Sequence, residues 1–133
     1  MSTDHKALAE RFVNALNAGD SAALDEMFAA DVKWTFPGTF PFSGTHEGKQ
    51  DVFEGFLAPA GGLFAPPASP PIELHNIVTS PTGFAVEYTA RMTSAIGNAY
   101  ENNYVLMVDV SGSQIAHVRE YNDTAHLQAA CYR

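Results

Sequence analysis

The chain has 133 residues, of which 46% are hydrophobic and 17% are charged, and its formal net charge is −8. This length suits one hydrophobic core, so we expect a single domain over residues 1–133. The composition is that of a folded chain. Its lysines and arginines are few and scattered and form no basic stripe, which argues against nucleic acid and anionic membrane as partners.

Cysteine content and the chain start predict the compartment. Cys131 is the single cysteine and cannot form a disulfide within the chain, which is typical of a reducing compartment. Residues 1–6 are polar and lack the apolar segment of a secretory signal. No apolar run approaches the roughly 18 residues that a membrane helix needs. We therefore predict a soluble, cytoplasmic protein.

The first half of the chain has the pattern of helices. Leu8, Phe12 and Leu16 recur at a spacing of four, as on the buried face of an amphipathic helix. A loop or small hairpin follows the first strand, and a later segment is too rich in proline for a helix or a central strand. The predicted ranges are helices 4–18, 21–30 and 49–57, strand 31–36, the loop 40–48 and the proline-rich segment 58–71.

The second half has the pattern of strands. Four segments alternate in hydrophobicity and are separated by short turns that contain glycine, serine or proline. Short connections between neighbouring strands predict an antiparallel meander. The predicted strands are 72–80, 83–93, 98–110 and 114–122. Helices followed by strands indicate an α+β fold, with a curved antiparallel sheet covered by three N-terminal helices and a cavity between the layers.

The last strand carries the most unusual charges. Alternation predicts that His117 and Arg119 share one face with Ile115, while Val118 and Glu120 share the other. The second face is otherwise small and apolar, apart from an asparagine. A carboxylate in such a row is costly to bury unless it is paired or used. Glu120 is therefore the first candidate for function.

Three segments in this order resemble a known superfamily. They are residues 27–38 (MFAADVKWTFPG), residues 42–53 (FSGTHEGKQDVF), and residues 100–104 (YENNY) followed by the closing strand 114–124. The chain resembles the nuclear-transport-factor-2-like superfamily. It is most similar to the SnoaL-like branch, which is related to ketosteroid isomerase, polyketide cyclase and limonene epoxide hydrolase. The resemblance implies an α+β cone with an internal cavity for a small apolar or polycyclic molecule. It also implies a homodimer that pairs through the open side of the sheet.

The superfamily hosts unrelated reactions, so the resemblance leaves the activity open. Ketosteroid isomerases carry an aspartate base before the proline that ends the first strand, where this chain has Phe36. Epoxide hydrolases of this fold use an Asp-Arg-Asp trio, for which Arg91 and Glu120 are partial counterparts. Polyketide-cyclase relatives place an acid on the final strand, at Glu120. An isomerase or cyclase, a hydrolase that adds water, and a non-catalytic binding or dimerisation module all stay open.

Glu120 and Asp123 are the candidate catalytic residues. An apolar cavity would raise the pKa of the Glu120 carboxyl toward neutrality and suit it to acid–base chemistry. The alternative for Glu120 is a structural ion pair with Arg91 or Arg119. The alternative for Asp123 is to cap a short helix that begins near Thr124.

The candidate ligand-binding residues are mainly aromatic and polar. Two aromatic side chains of the first strand would shape the pocket, and asparagine or tyrosine side chains of the third strand in the meander would polarise a ligand oxygen. Pattern leaves open which sheet face meets the cavity and which is a strand-pairing or dimer surface. The candidates are Trp34, Phe36, His75, Tyr88, Arg91, Asn103 and Tyr104.

No cofactor and no metal are expected. The five histidines lack the His-x-x-x-His or Glu-x-x-His spacing of helical metal ligands. A glycine-rich phosphate loop and a serine nucleophile elbow are also missing from the sequence. The expected chemistry is proton transfer on a small molecule, with Glu120 as acid or base.

Overall fold

The computed structural model describes residues 4–132, so the ends of the predicted domain, residues 1–3 and 133, lie outside the described residues. Four α-helices and one π-helical segment accompany six strands. The helices are α1 (His5–Ala18), α2 (Ser21–Met27), α3 (Ala58–Gly61) and α4 (Thr124–Cys131), and the π-helical segment is Asp51–Leu57. The strands are β1 (Phe28–Phe36), β2 (Gly44–Glu47), β3 (Ile72–Ser80), β4 (Gly83–Thr93), β5 (Ala99–Ser111) and β6 (Gln114–Asn122).

The helix ends follow from local hydrogen bonding. The side chain of Asp4 accepts a hydrogen bond from the backbone N–H of Ala7 at the start of α1, and Asp20 does the same at the start of α2. Gly19 ends α1 in the left-handed conformation, with φ of 64°. The predicted helix 21–30 is wrong at its end, because α2 stops at Met27 and the chain enters β1 at once, with Phe28 fully buried in the core.

The six strands form one curved, unclosed sheet in the order β2-β1-β6-β5-β4-β3. Strands β3 to β6 form the predicted antiparallel meander. The sheet is mixed and not purely antiparallel, because β6 lies parallel to β1. Short connections predict only pairs of consecutive strands, whereas this pair joins the first strand to the last.

The helices cover one face of the sheet, and the core lies between the layers. Phe12 of α1 packs against Phe28, Trp34 and Phe84 at ring-centroid distances of 6.1–6.4 Å. The helix-covered, inner face of the sheet is therefore largely aromatic, while the outer face carries polar side chains. Within residues 4–132, no helix has the length and apolar character needed to cross a membrane.

The proline-rich segment crosses the edge of this core. Its first residues form the single turn of α3, which continues directly from the π-helical segment, so the expectation that the segment is too rich in proline for a helix is wrong there. Phe64 then forms an isolated antiparallel bridge with Ser94. The segment is thus held against the sheet beside the inner face.

Candidate functional site

A cavity of about 220 Å³ lies between the inner face of the sheet and the helical layer. Its wall is almost wholly apolar. Glu120 is the one acidic residue in the wall, and none of the described residues that line it is a lysine, arginine or histidine. The lining residues are Leu16, Trp34, Phe56, Leu57, Ala60, Gly61, Phe64, Pro71, Ile72, Tyr88, Ala90, Met92, Tyr104 and Glu120.

Glu120 is held by two neutral hydrogen-bond donors. The indole Nε1 of Trp34 donates to Oε1 at 3.2 Å, and the Asn122 amide Nδ2 donates to Oε2 at 3.1 Å. Burial among apolar groups raises the pKa of the Glu120 carboxyl to about 7, and these two hydrogen bonds oppose the rise. The carboxyl is therefore close to half ionised at neutral pH, as a general acid or base requires.

Asn122 has one unsatisfied atom beside this carboxyl. Its Oδ1 is buried and has no hydrogen-bond partner among the described residues. An unpaired buried carbonyl oxygen is costly, and few occur in native proteins. In the turned orientation this oxygen would accept a hydrogen bond from the protonated carboxyl of Glu120.

Two stacked tyrosines form the wall across from the helices. The rings of Tyr88 and Tyr104 are cross-strand neighbours on β4 and β5 and stack at 4.9 Å with an interplanar angle of 7°. Burial, as the largest cause, raises the pKa of both phenols well above the ordinary range, and the carboxylate of Glu120 adds to this. Both side chains therefore stay protonated and can donate hydrogen bonds at the cavity wall.

Comparison with known proteins assigns the family. A model of the SnoaL-like domain matches residues 9–118. The chain belongs to the SnoaL-like domain family. No curated protein matches it significantly.

Solved structures confirm that this SnoaL-like protein has the nuclear-transport-factor-2-like fold. A protein of that fold from Burkholderia xenovorans is 27% identical, with a TM-score of 0.77 and 98% of each chain covered. One of unknown function from Burkholderia pseudomallei is 18% identical, with a TM-score of 0.87 and 98% of this chain and 99% of that chain covered. TerC, co-crystallised with polyporic acid, is 16% identical, with a TM-score of 0.83 and 96% and 97% covered.

Four of the predicted site residues line the cavity of the SnoaL-like fold together. They come from four strands that alternation alone could not bring together: Trp34 from β1, Tyr88 from β4, Tyr104 from β5 and Glu120 from β6. Phe36 lies behind the wall, fully buried, with its ring 5.7 Å from that of the lining residue Phe56.

Three other predicted binding residues lie on the outer face of the sheet, away from the cavity. His75 is hydrogen-bonded to Thr89 at 2.7 Å, and Thr89 donates to Asn103 at 2.7 Å. A register shift beside His75 in β3 contributes to this placement. Arg91 is exposed on the same outer face. Its guanidinium group therefore cannot take part in an epoxide-hydrolase-like Asp-Arg-Asp trio in the cavity.

The ion pairs also exclude the structural alternative for Glu120. Arg91 pairs with Glu73 and Glu101, each at 2.6 Å. Arg119 pairs with Asp109 at 2.7 Å on the outer face. The predicted pairing of Glu120 with either arginine is therefore wrong, because both arginines extend from the opposite side of the sheet.

The beginning of β6 differs from simple alternation in one place. Ile115 pairs with Val110 and His117 pairs with Asp109, so Ala116 is an extra residue in a β-bulge. Ile115 is consequently fully buried, and grouping it with His117 and Arg119 was wrong. Beyond the bulge the alternation holds, and Glu120 and Asn122 share the inner face.

Asp123 lies just past the strand and caps α4, as its structural alternative predicted. Its side chain accepts a hydrogen bond from the backbone N–H of His126 at 3.1 Å. The sequence reasoning missed Asn122 and Tyr100 as polar neighbours of the cavity. The period of two was a usable signal, because it puts Asn122 with Glu120, and Tyr100 and Asn102 with Tyr104.

Proposed function

We propose that this SnoaL-like protein binds a small, neutral, apolar or polycyclic molecule and transfers a proton to or from it through Glu120. One observation carries the proposal: a single carboxyl group with a pKa of about 7 in the wall of an otherwise apolar cavity. A carboxyl in such a place is the usual arrangement of an acid–base catalyst. Isomerisation and aldol-type cyclisation each include a proton transfer that such a group can carry out.

The wall supports the ligand class. Aromatic rings of Trp34, Phe56, Phe64, Tyr88 and Tyr104 present flat surfaces, which favour a planar or fused-ring ligand. With no cationic side chain in the described wall, an anionic ligand would lose its hydration without compensation. The co-crystallisation of TerC with polyporic acid supports a small organic ligand in this fold.

Proton transfer is testable on a model ketone without knowledge of the natural substrate. The bicyclic ketone 1-tetralone is neutral and has exchangeable protons beside its carbonyl. Its proton–deuterium exchange in D₂O, followed by NMR, should be faster with the protein and should rise with pH through about 7, as Glu120 ionises to a base. Glu120→Gln should lower the exchange about 100-fold or more while tetralone still binds.

The control is Glu10→Gln, which changes an exposed carboxylate on α1 and should leave the exchange unaltered. If tetralone binds and its exchange equals that in buffer, the proton-transfer proposal is refuted and the chain is a binding module. Trp34, the single tryptophan of the chain, lines the cavity, so its fluorescence reports binding. If tetralone, tetralin and a panel of fused-ring ketones all leave this fluorescence unchanged, the ligand proposal is refuted as well.

We also propose a homodimer through the outer sheet face. Met107 and Tyr121 are 40% and 47% exposed there, beside the polar residues of β4 and β6. Large exposed side chains on an uncovered sheet support a contact surface. Sedimentation should give a mass of two chains for wild type and of one chain for Tyr121→Glu; a monomeric wild type would refute this.

Cytoplasmic localisation stays a prediction, to be checked by fractionation of the source cells.

A further inference from the structure

A chain of three buried polar side chains on β5 ends at the cavity wall. Asn102, Tyr100 and Tyr104 are 3%, 2% and 8% exposed. The Asn102 amide Nδ2 donates to the Tyr100 hydroxyl at 2.7 Å, and the hydroxyls of Tyr100 and Tyr104 are 2.5 Å apart. Of the three, only Tyr104 lines the cavity. The direction of the hydrogen bonds between these three side chains determines whether Tyr104 can donate a hydrogen bond to a ligand.

The backbone of Asp123 determines the orientation of the Asn102 amide. The N–H of Asp123 donates to Asn102 Oδ1 at 3.2 Å, and Asn102 Nδ2 donates to the carbonyl oxygen of Asp123 at 3.0 Å. A turned amide would put its NH₂ group against the N–H and its oxygen against the carbonyl, and both contacts would be repulsive. The amide therefore always donates to Tyr100.

This donation sets the direction of the next hydrogen bond. Tyr100 accepts from Asn102 and has one proton of its own to place. If Tyr104 were the donor to Tyr100, the Tyr100 proton would be buried without a described partner, at a cost of about 1–3 kcal/mol. If Tyr100 donates to Tyr104, the proton left without a described partner is that of Tyr104, the residue that lines the cavity and can meet a ligand. The Tyr104 proton is then free on the cavity side.

We propose that Asn102 is a positioning residue that directs the hydrogen-bond chain Asn102–Tyr100–Tyr104 toward the cavity, so that Tyr104 presents its proton to a carbonyl oxygen of the ligand. The proposal deepens the proposed function and rests on it, because it needs a ligand in the cavity. It restricts the ligand class to apolar molecules that carry a hydrogen-bond acceptor. Accepting from Tyr100 also polarises the Tyr104 hydroxyl and strengthens it as a donor.

Tyr88 is the alternative donor and serves as the internal comparison. Its ring stacks on Tyr104, but no described residue forms a hydrogen bond with its hydroxyl. That hydroxyl can rotate and either donate or accept, whereas the Tyr104 proton has one direction. Selectivity for an acceptor oxygen should therefore depend on Tyr104 and not on Tyr88.

The test compares two probes of one shape, 1-tetralone and its hydrocarbon counterpart tetralin. Trp34 is the chain's single tryptophan and lines the cavity, so its fluorescence reports the dissociation constant of each probe. We expect wild type to prefer the ketone by about 2- to 10-fold, the range for one net neutral hydrogen bond. Tyr104→Phe should abolish the preference while tetralin affinity is kept, and Tyr88→Phe should retain it.

Asn102→Asp reverses the direction of the chain with nearly the same shape. Burial keeps the new carboxyl protonated. One of its oxygens still accepts from the Asp123 N–H, and its hydroxyl donates to the Asp123 carbonyl oxygen and accepts from Tyr100, so Tyr100 must turn its proton toward it and away from Tyr104. Tyr104 then donates to Tyr100, and its proton leaves the cavity. We expect this variant to lose the ketone preference and keep the tetralin affinity, which a merely structural role for Asn102 would not produce.

A measurement on the ligand-free wild type keeps the proposal testable if that variant does not fold. In protein labelled with ring-¹³C tyrosine, NMR shows which tyrosine carries the hydroxyl proton of the short hydrogen bond. We expect that tyrosine to be Tyr100. Assignment to Tyr104, equal affinity of wild type for both probes, or loss of the preference in Tyr88→Phe alone would each overturn the proposal. If neither probe binds, the proposed ligand binding fails with it, whereas equal binding of both refutes the inference alone.

Discussion

Glu120→Gln should change how the stability of this protein depends on pH. The raised pKa of Glu120 is a statement about folding, since a carboxyl with an ordinary pKa of 4.5 in the unfolded chain has a pKa of about 7 in the fold. The fold therefore favours the protonated form. Gln resembles that form in shape and stays neutral at every pH.

The sign and size follow from the two pKa values. Near pH 4 the carboxyl is mostly protonated in both states, and above pH 7 it is ionised in both and opposes folding. The free energy of unfolding of wild type should thus fall by about 3 kcal/mol between these limits because of Glu120 alone. Access of water from the cavity makes this an upper figure. The variant should lack this fall, so its stability relative to wild type should rise by up to about 3 kcal/mol from pH 4.5 to 8.

The environment of Glu120 can accommodate the substitution. The Gln carbonyl oxygen can keep the hydrogen bond from Trp34. Asn122 can turn its amide so that its unpaired Oδ1 accepts from the new NH₂ group. The variant should therefore fold, and its pH dependence should be measurable.

Urea unfolding followed by tryptophan fluorescence at pH 5, 6, 7 and 8 is the assay. Glu10→Gln is the matched control, because it removes an exposed carboxylate, and its stability relative to wild type should change little with pH. A constant stability difference between Glu120→Gln and wild type across this range would refute the assigned environment of Glu120. It would also remove the main support for acid–base chemistry.

Three further outcomes test the surrounding structure. Trp34→Phe removes a donor to Glu120 and should raise the pKa of that carboxyl further, as read by carboxyl ¹³C NMR; a lower pKa would contradict the hydrogen bond. Gly83→Ala should lower the free energy of unfolding by about 3 kcal/mol, because a methyl group there overlaps a carbonyl of β5, and a neutral effect in denaturant would refute that packing. Asn17→Ala should cost about 1–3 kcal/mol and speed hydrogen exchange at Ile72, whose N–H and C=O both bond to the Asn17 amide; unchanged exchange would show that the contact is unimportant.

Local patterns predicted the elements of this chain well. The strand ranges 72–80, 83–93 and 114–122 agree with the structure, and α1 differs from the predicted helix by one residue. Alternation and helical spacing depend only on neighbouring residues, so they survive folding. The end of α2 was missed because Phe28 is buried against the rings of Phe12 and Trp34. This tertiary packing outweighs the local pattern that predicted a helix there.

The site could be predicted only in part. Glu120 was identified because it is a carboxylate in an otherwise apolar row of side chains. Trp34 was identified as an aromatic side chain of the first strand. His75, Arg91 and Asn103 were predicted as cavity residues, but they lie on the outer face, because alternation separates two faces without saying which one the helices cover. Only the packing of α1 on the sheet decides that question.

The sequence by itself determined most of the elements and the SnoaL-like family, and it singled out one carboxylate on the last strand as a candidate, because each of these depends on local pattern. The tertiary structure decided which face is the cavity, that β6 lies beside β1, and that Trp34 and Asn122 rather than an arginine hold Glu120. Those contacts join residues that are far apart in the chain. The pKa of Glu120, and with it the proposed chemistry, depends on them.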